Sequence, residues 1–238
     1  MSKIERYALV PIIAVICMDA MIFLVLASPK IHSKTTSRHG SEIVKLSEPR
    51  YASNTSVEKA LSERRSIRTY KDEPLTFRDL SQLLWAAQGI TDPRGFKTAP
   101  SAGALYPLEL YVAAGNVTDL PDGVYKYKPY EHELVKITKG DKRIELSRAA
   151  LGQGSIRDGA AVIIFSAVYE RTTVKYGKRG IRYVHIEVGH AAQNVYLQAV
   201  SLNLGTVIVG AFYDDEVKKI AGMRENEEPL CLMPVGKI

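Results

Sequence analysis

The sequence predicts an α+β fold, a central mixed or antiparallel sheet flanked by helices, on three observations. Helical and strand patterns follow one another without a regular βαβ alternation. The run from Ala160 to Val168 (AAVIIFSAV) is continuously apolar, as in a strand buried on both faces. The stretch from Ile181 to Asn203 has helical character, yet Val184, Val188, Ala191, Ala192, Val195, Leu197 and Val200 do not keep to one stripe. A helix apolar nearly all round belongs in a core or in a subunit interface.

The elements follow in order. Tyr7 to Ala27 is almost unbroken apolar sequence behind Lys3 and Arg6, long enough for a bilayer-spanning helix at about 1.5 Å per residue. Pro11 and Asp19 oppose that reading, since a lone carboxylate in hydrocarbon costs on the order of 2.5–3.5 kcal/mol. Val25 and Ala27 before a cleavage point give a secretory signal as the rival, and a buried helix of the main domain is the third reading. Lys30, Lys34 and Arg38 follow, so positive charge flanks both ends and sidedness stays open. The chain thus divides into an apolar segment (1–27), a polar linker (28–55) and a globular domain (56–238). The segment is read as a membrane anchor, with secretion after cleavage as the alternative.

Within the domain, Val57 to Arg64 reads as a short helix. Thr76 is an N-cap with Asp79 three residues on, and Leu80, Leu83, Leu84 and Ala87 repeat at helical spacing up to Gly89. Leu108 to Ala114 reads as a strand, and Val124 to Lys128 with Leu134 to Thr138 as a hairpin. Asp141 to Leu151 is helical, Thr206 to Phe212 a strand, Asp214 to Ala221 a helix and Leu230 to Val235 the last strand.

Composition narrows the function. Of 238 residues, 46% are apolar and 24% charged, enough for a full core. The net charge of +6 is scattered, and with neither an RNP-like aromatic stripe nor a helix-turn-helix signature it does not indicate nucleic acid. Cys17 and Cys231 lack the spacing of a metal site or disulfide framework and read as buried hydrophobes. His185 and His190 are five apart, off the spacing that puts two ligands on one helical face. Glu187, His190 and Asn194 share a face, which in a buried helix reads as a polar network rather than a metal site. Neither a GxSxG elbow nor a P-loop occurs.

Three clusters carry chemistry. Arg64-Arg65-Ser66-Ile67-Arg68-Thr69-Tyr70 sets three guanidiniums and a hydroxyl within five residues, a pattern suited to a phosphate or to a solvated basic turn. Pro100 to Pro107 (PSAGALYP) is rich in small residues that permit close backbone approach to a flat ligand. Leu204 to Phe212 (LGTVIVGAF) has glycines bracketing an apolar strand, which fits either a ring system passing its end or plain packing.

RRSIRTY, PSAGALYP, EVGHAAQN (Glu187 to Asn194), GTVIVGAF and PVG (Pro234 to Gly236) occur in this order. From about residue 56 onward the sequence resembles the nitroreductase superfamily, and within it the SagB-type dehydrogenases. The resemblance implies a homodimer with FMN at the interface and the long buried helix in that interface. It also implies hydride exchange between FMN and NAD(P)H or a small-molecule or peptide substrate. By the same resemblance, Arg64, Arg65, Ser66 and Arg68 match the segment that holds the flavin phosphate and ribityl chain. Pro100, Ser101, Ala102, Gly103 and Leu105 match the loop that packs near the isoalloxazine from the partner subunit, and Gly210 and Ala211 the loop facing its redox-active side. Ala104 stands where nitroreductases often have Asn, which weakens the nitroaromatic expectation. Lys237, next to the C-terminal Ile238, is the candidate for a basic residue near the phosphate. SagB-type enzymes oxidise thiazolines or oxazolines to azoles with a Lys-Tyr pair, to which Lys175-Tyr176 in VKYGKRGIRY corresponds; the alternative places both on a connecting loop. A non-catalytic, membrane-attached flavin-binding protein is a further alternative.

Overall fold

The computed structural model describes residues 42–238, so the apolar segment and most of the expected linker lie outside the described residues. Among those described, no helix is long and apolar enough to cross a membrane.

Seven strands form one sheet: β1 (Ile43–Lys45), β2 (Leu108–Ala114), β3 (Gly123–Lys128), β4 (Glu133–Lys139), β5 (Ala161–Ala167), β6 (Leu204–Thr206) and β7 (Glu228–Lys237). Their order is β1-β4-β3-β2-β5-β7-β6, and every pairing is antiparallel. Seven helices complete the fold: α1 (Val57–Glu63), α2 (Phe77–Gln88), α3 (Arg143–Ala149), α4 (Gly154–Asp158), α5 (Glu170–Tyr176), α6 (Arg179–Ser201) and α7 (Asp214–Ala221).

Strand alternation sorts the core into two layers. Leu110 and Val112 of β2, Ile163 and Phe165 of β5, and Met233 and Val235 of β7 face α2 and α6. Tyr111, Ala113, Val162, Ile164 and Leu232 face the other way, onto Leu146, Ile156, Val217 and Ala221 of α3, α4 and α7. With helices on both faces, β5 is buried along its whole length, as its unbroken apolar run requires. The caps are as the sequence predicts. Thr76 Oγ1 accepts from the backbone N–H of Asp79 at 3.0 Å, and Gly89 closes α2 by donating to Trp85 O.

Two expectations are corrected. The folded part begins before Ser56, because β1 pairs with β4 inside the stretch read as linker. Its three residues are too few for strand periodicity to reveal. The predicted strand from Thr206 to Phe212 ends at Thr206. Beyond it the Ile208 N–H donates to Tyr196 Oη at 2.8 Å, and only Val209 stays bridged, to Leu232. The long helix α6 is not covered all round in the single chain. It buries Val184, Glu187, Ala191, Val195 and Ala199, while Ile181 and Ile186 remain about half exposed, at 44% and 48%.

An ionic network sits in the sheet. Lys126 Nζ bonds Glu227 Oε1 at 2.6 Å and Glu109 Oε2 at 3.0 Å. Tyr111 donates to the other oxygen of Glu227, and Arg171 of α5 pairs with the other oxygen of Glu109. Removing one partner of such a set strands the remaining buried charges, at about 3–5 kcal/mol. Lys126→Met is therefore expected to lower unfolding stability by about that amount, measured as a fall in the urea midpoint at unchanged slope.

Candidate functional site

The small-residue loop is held in an unusual backbone shape. Gly103, Ala104 and Tyr106 have φ of 65°, 55° and 46°, a left-handed region that costs non-glycine residues roughly 1–2 kcal/mol each. Ala104 stands at one of these positions, where Asn is the better tolerated non-glycine residue. Ser101 Oγ accepts from Tyr106 N at 2.9 Å and closes the loop on itself. Arg171 donates to Tyr106 O at 3.0 Å, tying the loop to α5.

That tie brings two of the sequence-predicted clusters together. Lys175 and Tyr176 are the last two residues of α5 rather than members of a loop, and the helix stops at Gly177 in a positive-φ conformation. Both side chains end above Gly103. A Cβ at Gly103 would lie 2.7 Å from Tyr176 Oη and 3.0 Å from Lys175 Nζ. Glycine is therefore required twice over, by its φ and by this approach. Tyr183 of α6 packs edge-on against the Tyr176 ring, with centroids 5.0 Å apart, and fixes its orientation.

The basic cluster is organised by a residue the sequence reading passed over. Tyr196, on α6 and 7% exposed, receives the Arg64 guanidinium over its ring at 5.2 Å. Its hydroxyl lies 3.2 Å from Ser66 Oγ and also accepts from Ile208 N. Tyr196 thus joins RRSIRTY to the segment that carries Gly210 and Ala211. A tyrosine with no second polar residue beside it carried no sequence signal. Arg65 bonds Ser62 O and Arg64 O at the end of α1. Arg68 is exposed and has neither a hydrogen bond nor an ion pair among the described residues. Lys237 Nζ bonds Asp79 Oδ2 at 3.2 Å, so its ammonium already has a carboxylate partner.

The glycines of LGTVIVGAF serve different ends. A Cβ at Gly205 would meet Ile67 at 2.7 Å, and one at Gly236 would meet Tyr70 at 2.6 Å. Both let RRSIRTY lie against the sheet, where Ile67 N donates to Thr206 O and Lys71 N to Lys237 O, each at 2.9 Å. A Cβ at Gly210 would touch nothing within 4 Å. Gly210 and Ala211 are exposed, so packing does not account for that glycine.

Glu187 lies on the buried side of α6, 2% exposed, with Oε1 unpartnered. Burial raises its carboxyl to about 7, opposed by the Ser101 hydroxyl and the Lys97 charge. In the folded state this group stays protonated up to about pH 7, whereas in the unfolded chain it ionises near its ordinary value of 4.5. The native state thus holds the extra proton between those limits, and its stability falls as pH rises through them. Glu187→Gln, which cannot ionise, is expected to flatten this part of the stability–pH curve measured by denaturation from pH 4.5 to pH 7.5. A decline identical to that of the unaltered protein would exclude Glu187 as its source.

A family model described as the nitroreductase family matches residues 61–237. A Methanocaldococcus jannaschii protein carrying the nitroreductase name is 56% identical over 181 residues, which cover 76% of this chain and 90% of that protein. The microcin B17-processing protein McbC of Escherichia coli is 29% identical over 172 residues, covering 69% of this chain and 63% of its own length. Among solved structures, one from Anabaena variabilis titled a nitroreductase superposes with a TM-score of 0.72 at 31% identity, over 83% of this chain and 42% of that one. Another so titled, from Ralstonia eutropha, also gives 0.72, at 28% identity, over 82% and 89% of the two chains. The chain therefore belongs to the nitroreductase family of oxidoreductases.

Proposed function

We propose that the protein is an FMN-dependent dehydrogenase in which Lys175 and Tyr176 handle the proton that accompanies hydride transfer. The observation that carries this reading is the convergence of Lys175 Nζ and Tyr176 Oη on Gly103. One bare backbone position meets two proton-carrying side chains in the loop that the family resemblance assigns to the isoalloxazine.

The residues present fit a flavin. Gly103 and Gly210 offer backbone with no side chain in the way. Arg64 and Ser66, both fixed by Tyr196, suit the phosphate and ribityl hydroxyls, with Arg68 as a further cation, unpaired among the described residues. Arg65, turned to α1, and Lys237, held by Asp79, contribute only if those bonds are exchanged. The half-exposed Ile181 and Ile186 on the outer face of α6 support a homodimer built on that helix.

When bound, the flavin supplies the hydride acceptor or donor. The chain's own residues bind, orient and move protons. Arg171 and Ser101 hold the loop in its left-handed shape, and Tyr183 holds the phenol. Tyr176 Oη and Lys175 Nζ lie where a substrate proton can be taken up or returned as the hydride moves. The relation to the microcin-processing protein favours azoline oxidation in a modified peptide, where a ring loses one hydride and one proton. In the alternative direction NAD(P)H would give up the hydride and an organic substrate would accept it.

Tyr176→Phe and Lys175→Met are each expected to leave the yellow holoprotein intact and to lower turnover by about 10²–10⁴-fold, the usual worth of a positioned proton-transfer group. Steady-state rates on flavin-loaded protein provide the test. Full turnover in both variants would remove the pair from the mechanism.

A further inference from the structure

A cleft of about 580 Å³ lies behind the small-residue loop, between Ala104–Tyr106, the start of β2 and the turn joining β3 to β4. We infer that this cleft is a binding site for a carboxylate-bearing ligand, anchored by Lys97, Gln88 and Tyr106. The inference does not depend on the flavin reading.

Lys97 is partly buried, yet no carboxylate lies within 4 Å of it among the described residues. Its ammonium bonds only the neutral Gln88 Oε1, at 3.1 Å, and lies over the Tyr106 ring, 4.9 Å from the centroid. Glu109 and Glu187 favour the ammonium only from beyond contact distance, so its removal from water is incompletely offset. Burial lowers Lys97 to about 8, so the ammonium persists at neutral pH. Gln88 is 1% exposed, and its Nε2 has no partner, a desolvated donor that costs about 1–3 kcal/mol. Tyr106 Oη accepts from Lys97 N at 3.2 Å and keeps its own hydrogen to donate. An ammonium, an amide N–H and a phenol O–H thus gather at one end of a cleft, a donor set that complements a carboxylate.

The remaining walls limit the ligand. Lys128 and Arg171 stand among Glu109, Glu131 and Glu133, and Glu109 is already bonded to Lys126 and Arg171. Beside Lys97 the lining thus carries two cations and three anions, and the cleft suits a single negative charge better than a phosphate dianion. Tyr127 and Tyr130 also line it and give an apolar body something to cover. A free aromatic acid and the C-terminal end of a peptide share this chemistry.

Calorimetric titration of the flavin-loaded full chain separates these cases. Phenylacetate is compared with phenylacetamide, and N-acetylphenylalanine with its amide. Each favoured acid is expected to bind at least about tenfold more tightly than its amide, the worth of one hydrogen bond to a charged group. Preference for phenylacetate identifies a free acid as the ligand, and preference for N-acetylphenylalanine a peptide end. Lys97→Met is expected to abolish the acid preference, and Gln88→Leu to weaken it should Lys97→Met fail to fold. Equal affinity for acids and amides, no binding at millimolar acid, an acid preference that survives in the substituted proteins, or release of flavin by the acid would each overturn the inference.

Discussion

A chain of ion pairs running from the middle of the sheet to the loop at residues 100–107 is the contact on which the candidate site depends. Glu227 and Glu109 hold Lys126 between them, Glu109 holds Arg171, and Arg171 holds the Tyr106 carbonyl. Lys126, Glu227 and Glu109 are buried or half-buried, so each needs its neighbour, while Arg171 joins them from the exposed side. The consequence is geometric. Because Arg171 opens α5 and Lys175-Tyr176 closes it, fixing the first turn of that helix on the loop sets its last turn above Gly103. Three left-handed residues in the loop can persist only where surrounding contacts over-determine them, and this chain of pairs is one such contact.

The basic cluster rests on close packing rather than charge. Gly205 and Gly236 let Ile67 and Tyr70 lie directly on the sheet, and Tyr196 gathers Arg64, Ser66 and the Ile208 N–H around one phenol. The basic segment therefore presents its guanidiniums from a fixed backbone, which lowers the entropy cost of binding an anion. Long helix α6 serves both sides, carrying Tyr183 against Tyr176 and Tyr196 against Arg64.

Much of this was legible in the sequence, and the parts that were not share a cause. Helix α2 was readable from Thr76, Gly89 and its leucine spacing, and β5 from its apolar run, because local propensity and burial agree there. The five ordered motifs identified the family. What sequence alone could not resolve was set by contacts distant along the chain. The strand expected through Phe212 stops early because Tyr196 takes the Ile208 amide. Lys175 and Tyr176 gain their meaning only from Gly103, more than seventy residues away. Gly205 and Gly210 look alike in sequence, yet one is explained by Ile67 and the other by no protein atom. Lys237, the candidate basic residue near the phosphate, is held by Asp79, 158 residues earlier.

The central claim is that these clusters form a flavin site, and the visible absorption spectrum of the purified full-length protein tests it most directly. The account predicts a yellow protein with the bands of oxidised flavin, carrying FMN in stoichiometric amount or taking it up when it is added. A colourless protein that retains none and does not bind added FMN would contradict it.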